Sequence, residues 1–302
     1  MRRDFISVLD IDPHDLTLLL DSAARMKRGR GDTGDRRILG GKCLAMVFEK
    51  ASTRTRVSFE VGMEELGGHA IFLNPNDLQL GRGEEIRDTA RVLSRYVSGV
   101  MIRAFRHRTI QEFARHSTIP VINGLSDREH PCQILGDLLT LREHFGSTDG
   151  LRVAWIGDGN NVCHSLILAA SMAGIGLSVA SPAAYRPDRG IVEAARAEGA
   201  KVEITTDPRE AARDADALYT DVRVSMGEEA EREKRLAAFR GYTIDAGLLA
   251  LASPDAVVLH CLPAHRGEEI TDGVLEGQRS IVWDQAENRL HTEKALLAAL
   301  LG

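Results

Sequence analysis

The sequence predicts an α/β fold with two doubly wound parallel-sheet lobes and an active-site cleft between them. Short β-rich runs alternate with helix-patterned segments almost throughout the chain, which indicates parallel sheets covered by helices on both faces. The length of 302 residues fits two domains of ordinary size. A turn-forming stretch, GSTDG at 146–150, separates two series of elements and marks the predicted boundary.

Each element is predicted from its local pattern: strands from short apolar runs, and helices from longer segments with helical periodicity. In the first lobe, the predicted strands cover 43–48, 69–73, 100–104 and 120–124, and the predicted helices cover 12–29, 52–66, 84–97, 108–117 and 131–145. In the second lobe, the predicted strands cover 153–157, 177–181, 201–205, 217–222, 257–262 and 280–286, and the predicted helices cover 161–174, 189–198, 208–214, 228–239 and 292–301. The charge-rich helix at 228–239 is predicted to be a solvated face.

Composition excludes several classes of protein. The net charge of −6 argues against a general affinity for nucleic acid or anionic membranes. Four irregularly spaced cysteines form no C-x-x-C pair, which argues against a disulfide framework or a zinc ribbon and fits a reducing compartment. The N-terminal segment lacks an apolar signal core, and no apolar stretch approaches the roughly 20 residues that span a bilayer. We therefore expect a soluble, cytoplasmic protein that binds neither nucleic acid nor membrane.

Unusual polar residues gather where the predicted strands end. In open α/β sheets, ligands bind beyond the carboxyl ends of the strands, so clusters at those ends predict one site between the lobes. The clusters are STRTR (52–56), Arg103, HPCQ (130–133), GDGNN (157–161), DVRVSMG (221–227), HCLP (260–263) and ENR (287–289).

The stretch STRTR places two arginines at the start of a predicted helix. Because the first turn carries the positive end of the helix dipole, Arg54 and Arg56 have the wrong sign there unless an anion binds with them. The serine is suited to cap the helix, and the next three N–H groups would then point outward. We interpret the stretch as a phosphate cradle that is not a P-loop. The alternative is a solvated helix start whose arginines pair with Glu49, Glu60 or Glu64.

Arg103 and the HPCQ stretch are further candidates. Arg103 closes a predicted strand, so it could contact a phosphate or a carbonyl group. His130 and Gln133 lie one turn apart on one helix face and could donate two hydrogen bonds to a polarised oxygen. Alternatively, His130 is an ordinary, partly buried residue.

Cofactor and metal sites are disfavoured. VAWIGDGNN looks like the opening of a dinucleotide-binding motif, but Val162 replaces the third glycine and the next strand ends without an acid for a ribose. A metal site built from His130, Cys132, His260 and Cys261 would require neighbouring residues to point at one ion. We expect no metal and no cofactor.

Four motifs together resemble the ornithine carbamoyltransferases of the aspartate/ornithine transcarbamoylase family. They are STRTRxSFE (52–60), HPCQ (130–133), D-x-x-x-S-M-G (221–227) and HCLP (260–263), in this order and spacing. The resemblance covers essentially the whole chain. It implies attack by the δ-amine of L-ornithine on carbamoyl phosphate, giving L-citrulline and phosphate for arginine biosynthesis.

The resemblance also implies the residues of the site. The carbamoyl phosphate-binding residues would be Ser52, Thr53, Arg54, Thr55, Gln79, Arg103, His130, Gln133, Cys261, Leu262 and Arg289. The ornithine-binding residues would be Asn161, Asp221, Ser225 and Met226. In catalysis, Arg54, Arg103 and His130 would stabilise negative charge on the carbonyl oxygen. Asp221 and Cys261 would hold the amine and help it lose a proton, without a covalent intermediate on Cys261.

The resemblance further implies the domains and the assembly. A carbamoyl phosphate-binding domain would cover 1–147, an ornithine-binding domain would cover 148–290, and a C-terminal helix at 291–302 would pack back on the first domain. The active unit would be a homotrimer or a multiple of trimers.

The chain departs from the family motif D-x-W-x-S-M-G at one position, because Arg223 replaces the tryptophan. We expect Arg223 to lie at the surface or in a subunit contact. Alternatively, it accepts an acyl group on the substrate, which leaves N-acylornithine open as a substrate. Putrescine and, for the aspartate-type enzymes, aspartate are the other candidates.

Overall fold

A computed structural model of the chain describes residues 1–31, 34, 37–74, 78, 83–224 and 229–302. The chain divides into two compact units. Unit 1 contains Met1–Leu139 and Glu287–Gly302, and unit 2 contains Thr140–Ala286. Both are built on a parallel sheet, so the predicted α/β class with two parallel sheets is confirmed.

The sheet of unit 1 has four parallel strands among the described residues. They are β1 (Cys43–Phe48), β2 (His69–Leu73), β3 (Gly99–Arg103) and β4 (Val121–Leu125), in the order β2-β1-β3-β4. The helices along this part of the chain are α1 (Pro13–Arg28), α2 (Thr53–Glu65), α3 (Ile86–Tyr96), α4 (His107–His116) and α5 (Pro131–Phe145). Because β2 and β3 lie on opposite sides of β1, the order of strands reverses between β1 and β3. That reversal is a switch point, where ligand sites form in such sheets.

The sheet of unit 2 has five parallel strands among the described residues. They are β5 (Arg152–Ile156), β6 (Gly176–Ala180), β7 (Lys201–Thr205), β8 (Ala217–Thr220) and β9 (Val257–His260), in the order β7-β6-β5-β8-β9. The helices that follow α5 are α6 (Asn161–Ala169), α7 (Arg189–Ala197), α8 (Pro208–Ala212), α9 (Arg232–Ala238), α10 (Ala246–Leu249), α11 (Asp272–Leu275) and α12 (Val282–Leu301). Here the strand order reverses between β5 and β8.

Apolar strands form the cores, as the pattern predicts. In unit 1, Val47 and Val100 pack with Phe113 in a buried cluster. In unit 2, the neighbouring strands β5 and β8 carry Trp155 and Tyr219, whose buried rings lie 4.9 Å apart between centroids. Strands that are buried on both faces read as continuous apolar runs, which is why the sequence located them.

The last predicted strand, 280–286, is wrong. Residues 282–301 form the single helix α12, and Ser280 makes only an isolated bridge to Val258. A short apolar run cannot be assigned to strand or helix by its pattern alone, and the helix formers that follow it extend a helix here. The ENR cluster therefore lies inside a helix and does not follow a strand. The predicted terminal helix at 292–301 begins ten residues earlier than expected, and the short helices α10 and α11 were not predicted. The remaining predicted elements are present, with ends that differ by a few residues.

Helix α9 is also less exposed than predicted. Arg235 is buried, and its guanidinium lies 4.8 Å from the centroid of the Tyr185 ring. It also pairs with Asp158. Among the described residues, no helix combines the length and apolar character needed to cross a bilayer.

A buried carboxyl group attaches the N-terminal segment to the turn before α5. The Glu129 side chain, on a residue with 3% exposure, accepts hydrogen bonds from the Val8 N–H and the Ser7 hydroxyl, each at 3.0 Å. Burial raises the pKa of Glu129 to about 7, and the two hydrogen bonds only partly oppose this. The folded protein therefore keeps this proton over a pH range in which the unfolded chain has lost it.

We expect Glu129→Gln to change how stability depends on pH. The pKa of Glu129 is higher in the folded protein than in the unfolded chain. The free energy of unfolding of the wild-type protein therefore falls by up to about 3 kcal/mol as pH rises from about 4.5 through 7. The glutamine variant lacks this loss, so its stability relative to wild type should rise over that range. Urea unfolding at pH 5 and pH 8 measures the difference. Glu143→Gln, at an exposed position, is the control; equal pH responses of the two variants would contradict the assignment.

Candidate active site

The cradle begins at the N-terminus of α2, directly after β1. The Ser52 hydroxyl caps the helix by accepting a hydrogen bond from the Thr55 N–H at 3.2 Å, as the sequence predicts for the serine. The cap therefore occupies the Thr55 N–H, which was expected to face a ligand. The N–H groups of Thr53 and Arg54 belong to the same first turn, where no acidic side chain offsets the helix dipole. An anion is the natural complement of this helix end.

The two arginines of the cradle have different environments. Arg56 pairs with Glu60 at 3.0 Å and stacks 3.8 Å from the centroid of the Phe72 ring. The alternative of ordinary ion pairing is therefore correct for Arg56. Arg54 is half-buried at the helix start and contributes positive charge near His130. Arg54 is thus the arginine that suits an anion.

Arg103 adds to the positive charge around His130 in unit 1. Phe48 and Arg103 pair across β1 and β3, and the Glu49 N–H donates to the Arg103 carbonyl at 2.8 Å. This places the end of β3 beside the start of α2. Burial and then the charges of Arg289, Arg103 and Arg54 hold the pKa of His130 well below its usual value. His130 is therefore neutral at pH 7 and can donate one hydrogen bond without carrying charge.

Arg289 connects three elements of unit 1. Its guanidinium donates to Gln133 at 2.7 Å and to the Thr55 hydroxyl at 3.3 Å, and its Nε donates to Glu293 at 2.9 Å. The Gln133 amide in turn donates to Asp137 at 2.8 Å. Protein groups therefore engage the Gln133 carbonyl oxygen and one hydrogen of its amide, and a hydrogen bond from Gln133 to a ligand oxygen stays a prediction. Thr55, Gln133 and Arg289 are brought together as one network.

In unit 2, an acid beside the switch point contacts a thiol that follows β9. Asp221 follows β8, and its Oδ1 accepts a hydrogen bond from the Cys261 Sγ at 2.9 Å. Its Oδ2 accepts from the Asn160 amide at 2.7 Å. Asn160 also caps α6 by accepting from the Val162 N–H at 3.0 Å. Asn161, predicted to bind the substrate, is the half-buried first residue of α6. Asn160 was not predicted as a site residue, although asparagine is a preferred cap.

The HCLP stretch is held by the buried pair of His260 and Glu269, and Glu269 was not predicted as a site residue. The His260 Nδ1 accepts from the Leu262 N–H at 2.8 Å, so the ring proton lies on Nε2, which faces Glu269 at 3.2 Å. Leu262 has a φ of +57°, a left-handed conformation that costs a non-glycine residue about 1–2 kcal/mol. The hydrogen bond to His260 holds this turn next to Cys261.

Three ligand-type groups lie close enough for a metal. Donor atoms of Asp221, His260 and Cys261 lie within 4.8 Å of one another. However, both ring nitrogens of His260 are engaged with Leu262 and Glu269. Without rearrangement, this cluster therefore offers an ion only a carboxylate and a thiol.

Arg223 is buried, at 6% exposure, so the expectation of a surface or intersubunit position is wrong for this chain. Its Nη2 donates to the Thr243 hydroxyl at 2.7 Å and also to the Glu268 carbonyl. Gln79, Ser225 and Met226, which were also predicted as site residues, lie outside the described residues.

Comparison with known proteins identifies the family. Residues 3–143 match the carbamoyl-P binding domain of aspartate/ornithine carbamoyltransferase, and residues 149–300 match its Asp/Orn binding domain. The chain belongs to the aspartate/ornithine carbamoyltransferase family. Membership makes it a carbamoyltransferase, and both domains of the family are represented.

Individual members of the family are similar over their whole length. The ornithine carbamoyltransferase of Methanoculleus marisnigri is 63% identical over 301 residues, covering 100% of this chain and 97% of that protein. The crystal structure of ornithine carbamoyltransferase from Thermus thermophilus aligns with a TM-score of 0.91 at 48% identity, covering 100% of both chains. The anabolic ornithine carbamoyltransferase of Campylobacter jejuni subsp. jejuni aligns with a TM-score of 0.92 at 42% identity, covering 98% of each chain.

We expect Glu293→Ala to destabilise the protein by about 3–5 kcal/mol, because it leaves the Arg289 charge buried without its counter-charge. Glu293→Gln keeps an acceptor and should cost less. Urea unfolding measures both. Glu287→Ala, on the exposed face of α12, is the control and should cost less than about 1 kcal/mol. A cost for Glu293→Ala as small as that of the control would show that Arg289 does not depend on Glu293.

Proposed function

We propose that this chain transfers the carbamoyl group of carbamoyl phosphate to the δ-amine of L-ornithine, releasing L-citrulline and phosphate. Relatives that are 52–63% identical over the full chain bear the name ornithine carbamoyltransferase, which supports this reaction. The structural observation that carries the proposal is the 2.9 Å contact between Cys261 and Asp221. A carboxylate suits a substrate with an ammonium group, whereas aspartate would bring two further negative charges.

Unit 1 would bind carbamoyl phosphate. The α2 start and Arg54 provide N–H donors and positive charge for the phosphate. Arg103 and neutral His130 would donate to the carbonyl oxygen, on which negative charge develops as the amine attacks. Arg289 would act on the same group while it holds Thr55 and Gln133 in place.

Unit 2 would bind ornithine. Its δ-ammonium group must lose a proton before the nitrogen can attack, since only the neutral amine is a nucleophile. Asp221, oriented by Asn160, would bind this group, and Cys261 would assist the proton loss. The nitrogen then forms the new bond to the carbamoyl carbon as the bond to the phosphate oxygen breaks, and the departing phosphate takes the remaining proton. Cys261 stays non-covalent throughout.

Other assignments follow from the same resemblance and stay predictions. The functional domains would be 1–147 and 148–290, with 291–302 packed on the first, and the cleft between the lobes also stays a prediction. The anabolic relative supports a role in arginine biosynthesis, which fits a cytoplasmic enzyme. A homotrimer or a multiple of trimers is expected, and exposed apolar side chains such as Val57 and Ile71 are available for contacts between copies. Light scattering measures the assembly.

A substrate panel tests the proposed reaction. The purified chain is incubated with carbamoyl phosphate and one amine at a time: L-ornithine, N-acetylornithine, putrescine or L-aspartate. We expect kcat/KM for ornithine to exceed that for each other amine by at least about a hundredfold, because a site with matched polar groups rejects analogues that leave them unpaired. Preference for any other amine would refute the proposed substrate.

We expect Arg54→Ala to lower kcat by about a hundredfold to a thousandfold, as the loss of one fixed donor to developing charge does in other enzymes. Arg56→Ala is the matched control, since Arg56 pairs with Glu60 on the same helix, and it should change kcat by less than about threefold. Steady-state kinetics with both substrates varied measures the two variants. Equal losses in the two variants would place the cradle elsewhere.

A further inference from the structure

Residue 223 is held from two directions within unit 2. Its guanidinium Nη2 donates to the Thr243 hydroxyl at 2.7 Å and to the Glu268 carbonyl. Its own carbonyl accepts a hydrogen bond from the Arg235 Nε at 2.6 Å. Arg235 is buried and paired with Asp158, which follows β5. Both the side chain and the backbone of residue 223 are therefore attached to other segments.

These contacts close a ring that includes the acid and the thiol. Glu268 holds Arg223, and the next residue, Glu269, faces His260 at 3.2 Å. His260 precedes Cys261, whose sulfur contacts Asp221 at 2.9 Å, and Asp221 lies two residues before Arg223. The ring runs through Asp221, Arg223, Glu268, Glu269, His260 and Cys261. Displacement of one segment of such a ring moves the others.

We propose that Arg223 is a positioning residue, which fixes the separation between Asp221 and Cys261 by tying the segment after β8 to the segment after β9. The role rests on the proposed function, since it concerns the groups that would bind the amine of ornithine. Arg223 does not touch the substrate in this proposal. It acts through the backbone of residues 221–223.

The chemistry of arginine suits this role. Nη2 has two hydrogens and two acceptors, the Thr243 hydroxyl and the Glu268 carbonyl. Because the guanidinium is planar, the directions of these two N–H bonds are fixed relative to each other. Tryptophan, which the family motif carries here, has a single N–H and could make only one such bond. The charges of Glu269 and Glu268 also offset the cost of burying this cation. These bonds use only Nη2, and the buried Nε has no partner among the described residues, so the experiment below includes an N-acyl substrate.

Arg223→Met tests the proposal, with Arg232→Met as the matched control. Arg232 also contacts Glu268, but through the carboxylate, and its side chain is half-exposed. Within the part of the chain that the structure describes, it has no ion pair with the 221–223 segment. The readouts are KM and kcat for both substrates, and the rate at which iodoacetamide alkylates Cys261, followed by mass spectrometry of its peptide. A nearby carboxylate disfavours the thiolate, so displacement of Asp221 should speed alkylation.

We expect Arg223→Met to raise KM for ornithine about tenfold, to leave KM for carbamoyl phosphate within about twofold, and to speed alkylation about threefold. Arg232→Met should change each quantity by less than about twofold. Arg223→Lys keeps the positive charge but lacks the planar guanidinium group. It should change the same quantities in the same direction by a smaller factor. If Arg223→Met does not fold, Arg223→Lys is compared with Arg232→Met instead.

Two results would overturn the proposal. One is equal behaviour of Arg223→Met and Arg232→Met in kinetics and alkylation. The other is turnover of N-acetylornithine by wild type that Arg223→Met alone abolishes, which would make Arg223 a substrate receptor. If the wild-type chain does not carbamoylate ornithine, the proposed function fails, whereas the alkylation comparison still decides the role of Arg223.

Discussion

All strands of a parallel sheet end at the same edge, and the candidate site depends on this constraint. In each unit the strand order reverses beside the strand that comes first in the sequence, β1 or β5. The chain segments that leave the two strands at the reversal run to opposite sides, which leaves a gap at the carboxyl edge of the sheet. The start of α2 and Arg103 meet beside one reversal, and Asn160 and Asp221 meet beside the other. Residues at least 50 positions apart thereby become neighbours. The sheets provide the positions, and the helix starts provide N–H groups and polar caps.

The candidate site residues of the two units differ in charge. In unit 1 several arginines lie close together, an arrangement that attracts an anion but makes any further positive charge unfavourable. Two features limit that cost: His130 stays neutral because burial and neighbouring arginines lower its pKa, and Glu293 offsets the charge of Arg289. Unit 2 instead places a carboxylate and a thiol in contact, which suits a basic amine. This division matches the two substrates, one an anion and one an amine.

Hydrogen bonds behind the site keep these groups in place. Gln133 links Arg289 to Asp137, and His260 links Leu262 to Glu269. Buried polar groups favour arrangements in which they keep hydrogen-bond partners, so each network restricts the geometry of its members. Arg223, which stands where the family motif has tryptophan, is held by hydrogen bonds in the same way. The Thr243 hydroxyl and the Glu268 carbonyl accept these bonds.

The sequence by itself determined the fold class, nearly all strands and helices, the cap at Ser52 and the family, because these follow from local periodicity, short-range capping and contiguous motifs. It misassigned 280–286, where a short apolar run fits a strand or a helix equally well. Only the tertiary structure decided which arginine pairs with Glu60, that Asn160 contacts Asp221, and that Arg223 is buried. Each of these depends on a partner from another element, and the pairing of distant polar groups leaves no periodic signal in the chain.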